Sequence, residues 1–220
     1  MFSIYGNFRK LAAEIVRGGK NSRRRRRQNI DARVCSCFWV NYMPRIHIIG
    51  TSCSGKTTFA RSLAGQIGVP HIELDALHWL PNWKGKEKEQ FAADTEIAVA
   101  AADWVFDGNY TAVRHIIWRR ATHIIWLNYP FWLVFGRALR RTLRRVITRE
   151  ELFAGNRETF RQSFLSHDSI LLWVLQTHAR HRRNYPVILA DANLHSAEVI
   201  VLDSPAAAKK YIGNRGDFAL

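Results

Sequence analysis

Cysteine is scarce in this chain. Three cysteines in 220 residues cannot form a disulfide framework for a chain of this size, so a reducing compartment, the cytoplasm, is expected. Long apolar runs are missing too. None approaches the ~18 residues that a membrane-spanning helix needs, and no membrane partner is expected. The nine histidines are scattered, and no Cys/His spacing matches a zinc site. No internal repeat occurs, and no Ser-His-Asp order stands out. Acidic residues are few: 18 Asp and Glu face 33 Lys and Arg, a net charge of +15. Such a surplus ordinarily points to nucleic acid or another anionic surface. The hydrophobic fraction, 47%, is that of a globular chain rather than a disordered one.

The charge is unevenly spread. Residues 1–42 carry ten Lys or Arg against two acids, a surplus of eight, and the remaining 178 residues carry a surplus of seven. Arg23 to Arg27 form an unbroken basic run. Blocks of this kind repel themselves and are expected to be disordered. Residues 1–42 therefore read as a basic N-terminal appendage outside the fold. Residues 43–220 read as the folded, ATP-binding domain. Met43-Pro44 stands directly before the first strong strand, where a start would fall.

From there, short β-branched runs alternate with helical patterns. Strands are expected at 45–49, 71–74, 104–106, 123–127 and 198–202. Helices are expected at 56–66, 87–102, 131–147, 157–183 and 205–212, with a Trp- and Pro-containing loop after Asp75. Ser204 followed by Pro205 makes a good start for the last helix. Alternation of this kind implies an α/β fold, a parallel sheet covered on both faces.

Residues 50–57 read Gly-Thr-Ser-Cys-Ser-Gly-Lys-Thr, the G-x-x-x-x-G-K-[ST] phosphate loop. A strand ends at Gly50 and a helix begins near Lys56, which is the context the chemistry requires. The amides of Thr51, Ser52, Cys53, Ser54 and Gly55, with those of Lys56, Thr57 and Thr58 at the helix start, would face phosphate oxygens. Gly50 and Gly55 permit the turn. Lys56 would reach the β- and γ-phosphates, and the Thr57 hydroxyl would hold Mg²⁺. Other strand ends carry acids, where open α/β sheets bind ligands. Asp107 follows an apolar strand and would assist the metal. Asp75 would orient or deprotonate an acceptor hydroxyl, or bind the acceptor. Asn128 and Asp203 also stand at strand ends.

Taken in order, GTSCSGKT, HIELDALHW, WVFDGNY and IIWLNYP resemble the adenylate-kinase-like P-loop ATPases, most narrowly the group labelled DNA topology modulation proteins. The resemblance covers roughly residues 44–212. It implies a three-layer, nucleoside-kinase-like fold: a five-stranded parallel sheet of order 2-3-1-4-5 with a helical lid over about 136–185. It implies ATP and Mg²⁺ as cofactors and phosphoryl transfer to a small nucleotide or hydroxyl-bearing acceptor. Asp107-Gly108 followed by Arg114 is similar to the segment that holds an acceptor phosphate in adenylate kinases, although Asn109 and Tyr110 interrupt the usual pattern and lengthen the spacing. Trp79 and Trp83 would stack an acceptor or pack their own loop. Arg137, Arg140, Arg141, Arg144 and Arg145 fall on one helix face. In the lid of such a fold, guanidinium forks close over phosphate, and Arg141 and Arg145 are the expected pair. Arg180, Arg182 and Arg183, with His178 and His181, would complete the lid or sit at a helix C-terminus that favours cations. The alternative is a nucleic-acid-associated regulatory ATPase that uses its basic surfaces, although no DNA- or RNA-binding motif supports it.

Overall fold

Arg45–Gly50 is a run of branched apolar residues broken only by His47, and every residue after Arg45 is buried. A strand buried on both faces belongs at the centre of a parallel sheet. The computed structural model puts it there, and it describes residues 43–148, 151–156, 169–190 and 197–216. The expected appendage 1–42 and the expected helical segment 157–168 lie outside the described residues.

Seven strands are present among these residues: β1 (Arg45–Gly50), β2 (His71–Glu73), β3 (Trp79–Leu80), β4 (Lys84–Gly85), β5 (Trp104–Asp107), β6 (His123–Leu127) and β7 (Glu198–Leu202). Five of them form one sheet in the order β2-β5-β1-β6-β7. All four pairings in that sheet are parallel. Counted along the chain without the small hairpin, this is the expected 2-3-1-4-5. The helices are α1 (Lys56–Ile67), α2 (Leu74–His78), α3 (Lys88–Val99), α4 (Thr111–Trp118), α5 (Phe131–Thr148), α6 (Ile170–Leu189) and α7 (Pro205–Gly216).

Alternate side chains of each strand point to opposite faces, and two separate cores result. Ile46, Ile48, Val105, Ile125 and Leu127 pack with α1, α5 and α7 through Phe59, Leu63, Val134, Ala138 and Ala208. Ile49, Trp104, Phe106, Ile124 and Trp126 pack with α3 and α4 through Phe91, Val99, Val113 and Ile117. Helices therefore cover both faces, the three-layer α/β arrangement. α1 stops at Gly68, whose left-handed backbone (φ 71°) lets its N–H close on the Ala64 carbonyl. At α7 the Ser204 hydroxyl accepts from the Ala207 N–H at 3.2 Å, as the Ser-Pro start predicts.

Three local features depart from expectation. The stretch after β2 is not simple loop: α2 follows at once, and β3 and β4 then form an antiparallel hairpin. α4 was not anticipated. It is short and rich in Thr, Val and Ile, poor helix formers in isolation. Burial of Val113, Ile116, Ile117 and Trp118 against the sheet outweighs that preference. α6 runs past the expected end at 183 to Leu189, with Pro186 in its last turn. Among the described residues, no helix is long and apolar enough to cross a membrane.

Candidate functional site

β1 ends at Gly50, and α1 begins at Lys56 after five intervening residues. Gly50 (φ 151°) has no room for a side chain: a Cβ there would lie 2.7 Å from the Leu127 carbonyl oxygen. Gly55 (φ 98°) and Cys53 (φ 65°) both take positive φ. The loop closes on itself through Ser54 N–H to Thr51 O at 3.1 Å, and Phe59 N–H to Gly55 O at 3.0 Å begins the helix. Thr51 and Ser54 are buried, Ser52, Cys53, Lys56 and Thr57 are half-buried, and Thr58 is exposed.

The Lys56 ammonium donates to the carbonyls of Gly50 at 2.9 Å and Thr51 at 3.1 Å. Desolvation pushes its pKa below the ordinary lysine value. The charges of Asp107 and Asp75 oppose that shift, and Arg141 adds to it. Asp107 stands at the end of β5, whereas Asp75, expected at a strand end, lies in the first turn of α2. The Thr57 hydroxyl donates to Asp107 Oδ2 at 2.6 Å. The other oxygen of Asp107 meets His71 Nε2 at 3.2 Å.

Gly108 follows Asp107. Its φ of 141° and its packing, with a Cβ position 2.7 Å from Leu74 Cβ, leave no space for another residue. Its carbonyl accepts from His47 Nε2 at 3.0 Å. His47 Nδ1 accepts from the Trp118 indole at 2.7 Å. This pairing uses the neutral tautomer, and burial lowers the pKa of His47 to about 4. A histidine that reads as an ordinary strand residue thus braces the turn that carries Asp107.

The Asn109 side chain turns back on the end of β1. Its carboxamide pairs with Gly50: the Gly50 N–H donates to Oδ1 at 3.2 Å, and Nδ2 donates to the Gly50 carbonyl. The Tyr110 hydroxyl donates to Asp75 Oδ1 at 2.6 Å. Burial first, and then the Asp75 charge, push the phenol pKa up. His78 lies 4.7 Å from the Tyr110 ring and 4.9 Å from Trp79. Trp79 and Trp83 meet edge to face at 5.5 Å, so these two rings pack against each other. Arg114, half-buried on α4, places its guanidinium 5.2 Å from the Trp118 ring centroid. Its charge reaches His47, His181 and Tyr185.

Against these observations stand the comparisons with known proteins. No family model matches the chain, and no curated protein does. Solved structures do resemble it. A shikimate kinase from Bacteroides thetaiotaomicron aligns at 13% identity and TM-score 0.46, covering 80% of this chain and 98% of its own. A gluconokinase from Sinorhizobium meliloti 1021 aligns at 17% and 0.44, covering 82% and 99%. A shikimate kinase from Acinetobacter baumannii in complex with shikimate aligns at 14% and 0.48, covering 82% and 94%.

The arginine face meets the loop at its first member. Arg137, the first of the five, donates from Nη1 to the Ser54 carbonyl at 2.7 Å and sits 5.4 Å from the Tyr129 ring centroid. Arg141, one turn on, adds its charge at Lys56. Arg145 stands a further ~6 Å along the helix axis. The arginine nearest the phosphate loop is therefore Arg137. α5 starts where β6 ends, beside the loop, so the earliest residues on its basic face are the nearest ones. His178 is buried and its Nε2 donates to the Tyr129 carbonyl at 2.9 Å, which ties α6 to the β6–α5 junction. His181 stacks on Tyr185 at 4.9 Å. Burial first, then the charges of Lys56, Arg180, His178 and Arg114, hold its pKa near 4.

Sequence reasoning also passed over Asn156. It is buried, accepts from the Trp83 N–H at 2.9 Å and donates to the carbonyls of Leu80 and Phe153 at 3.0 and 2.8 Å. It locks the β3–β4 turn, where Asn82 and Trp83 both hold positive φ, onto the segment that follows α5. Among the described residues, no group of three or more His, Cys, Asp or Glu side chains could hold a metal ion. Thr57 and Asp107 together offer a hydroxyl and a carboxylate. This oxygen set suits Mg²⁺ only if phosphate oxygens and water complete its shell.

Proposed function

We propose that this chain is an ATP-dependent phosphotransferase, moving the γ-phosphoryl group of ATP to a hydroxyl of a small acceptor, a nucleotide or another hydroxyl-bearing molecule. The observation that carries the reading is the bond between the loop's Thr57 and Asp107 at the end of β5, beside Lys56, which caps the loop carbonyls of Gly50 and Thr51. Asp75, held by Tyr110, supplies a second carboxylate.

ATP phosphates would lie along the amides of residues 51–57, with Lys56 leaving its carbonyl partners for the β- and γ-phosphates. Thr57 and Asp107 would hold Mg²⁺, which neutralises phosphate charge when bound. Tyr110 occupies one oxygen of Asp75 and leaves the other for the acceptor. That oxygen takes the acceptor's hydroxyl proton as the new O–P bond forms. The bond from the β–γ bridging oxygen to the γ-phosphorus breaks, and ADP leaves. Arg114 would steady an anionic part of the acceptor. Arg137 and Arg141 would face the nucleotide, with Arg145 beyond them in the lid. Little covalent chemistry falls to the protein, and positioning with charge neutralisation does most of the work.

The test is a screen of nucleoside monophosphates and hydroxyl-bearing metabolites for ADP release, run beside Lys56→Ala. Transfer that is lost in the variant supports the reading. Unchanged hydrolysis or transfer defeats it.

The topology-modulation alternative draws on Arg140 and Arg144, which are exposed on α5, and on the basic N-terminal segment. Contacts to phosphate alone would be salt-sensitive and indifferent to sequence. DNA affinity that survives removal of residues 1–42 and falls steeply with salt would favour it.

A further inference from the structure

The Gly50 carbonyl is shared. Lys56 Nζ reaches it at 2.9 Å, and Asn109 Nδ2 donates to the same oxygen. The Asn109 amide is set from both ends. Its own Oδ1 accepts from the Gly50 N–H at 3.2 Å. The residue before it, Gly108, is pinned by His47 at its carbonyl and by the Ile48 carbonyl at its N–H, 3.3 Å away. The residue after it, Tyr110, is anchored on Asp75.

From this geometry we infer that Asn109 is a positioning residue that frees Lys56 for phosphate. The inference rests on the phosphate-loop reading above and deepens it. A lysine that turns from a carbonyl to a phosphate strips that carbonyl of a donor. A buried acceptor left without a partner carries the desolvation penalty of that group. At Gly50 the cost is avoided, because the Asn109 amide stays on the oxygen when the ammonium departs. Without Asn109, the same oxygen depends on Lys56 and holds it back. The residues that carry Asn109 also carry the Tyr110–Asp75 bond, so the acceptor side and the phosphate loop share one rigid strand end.

The test is a double-mutant cycle on ADP affinity, measured by calorimetry on the full chain with magnesium, at protein concentrations that reach millimolar dissociation constants. The variants are Asn109→Ala, Lys56→Met and the pair. Asn109→Asp, which keeps the acceptor for the Gly50 N–H and loses the donor, serves as the second variant should Asn109→Ala fold poorly. Asn109→Ala should weaken ADP binding about tenfold in the parent chain. It should change binding less than about twofold once Lys56 is Met, because no ammonium then needs release. An equal loss in both backgrounds would make Asn109 a purely structural support and overturn the inference. So would unchanged affinity in the parent background. A parent chain that binds no ADP defeats the phosphate-loop reading itself, an outcome distinct from both.

Discussion

Thr57 and Asp107 are 50 residues apart in sequence and joined by a 2.6 Å hydrogen bond. The bond links the first turn of α1 to the end of β5, so the phosphate loop and the neighbouring strand end cannot drift apart independently. The carboxylate is nearly fully buried, 4% exposed, and its second oxygen is taken by His71. Burying a carboxylate is costly unless it is hydrogen-bonded and paired, and here Thr57 and His71 engage both oxygens.

Asp107→Asn keeps the shape and removes the charge. We expect the magnesium-dependent gain in nucleotide affinity to fall about 10- to 100-fold, with ADP affinity in the presence of EDTA much less affected. Titrating ADP with and without magnesium checks this. Equal magnesium dependence in parent and variant would remove Asp107 from the metal site.

Arg137→Ala deletes a charged hydrogen bond to the Ser54 carbonyl. Such bonds contribute roughly 1.5–3 kcal/mol, so ADP affinity should fall about tenfold or more. Arg145→Ala, two turns farther along α5, should cost less. The two variants compared by the same binding assay give the order, and an equal or larger loss at Arg145 would restore the ranking expected from sequence.

Legibility followed the range of the interaction that decides each feature. The loop was readable because a buried β-branched strand, a glycine turn and a helix start lie within about twenty consecutive residues, whereas the sheet order, set by pairings between distant strands, came only with the resemblance to a known family. The basic face of α5 was readable from its 3.6-residue period, but the arginine nearest the loop was not. That depends on where β6 delivers the helix, not on the spacing within it. α4 was hidden because its β-branched residues favour a strand locally and only burial makes them helical. His47 and Asn156 were hidden more deeply. Their partners lie 61 and 71 residues away for His47, and 73 and 76 for Asn156, and nothing in either local pattern distinguishes them from a strand histidine and a loop asparagine.

Asn156→Ala tests the second of these. It strips the Trp83 N–H and the carbonyls of Leu80 and Phe153 of a shared partner. Loss of stability of about 2 kcal/mol is expected, read as a lower urea midpoint with an unchanged slope. A variant as stable as the parent would mean that the β3–β4 turn holds its left-handed residues without this clasp.

His47 makes a prediction with a definite sign. Its pKa is 6.5 in an unfolded chain and about 4 in the fold, because burial disfavours the imidazolium and the Trp118 indole occupies Nδ1. Between those values the unfolded chain binds a proton that the folded chain refuses. Stability is therefore complete above about pH 6.5 and falls as pH drops toward 4, by about 3 kcal/mol from this group. His181, also held near 4, changes stability in the same direction, less strongly because it is more exposed. Urea unfolding at pH 7.5, 5.5 and 4.5 should show the decline. His47→Gln should be less stable at pH 7.5, since the Gly108 carbonyl and the Trp118 indole lose their fitted partner, yet its stability should fall less between pH 7.5 and 4.5. A variant with the parent's pH dependence would mean that His47 is not the group that titrates, and the bracing of the Asp107 turn by a neutral imidazole would have to be abandoned.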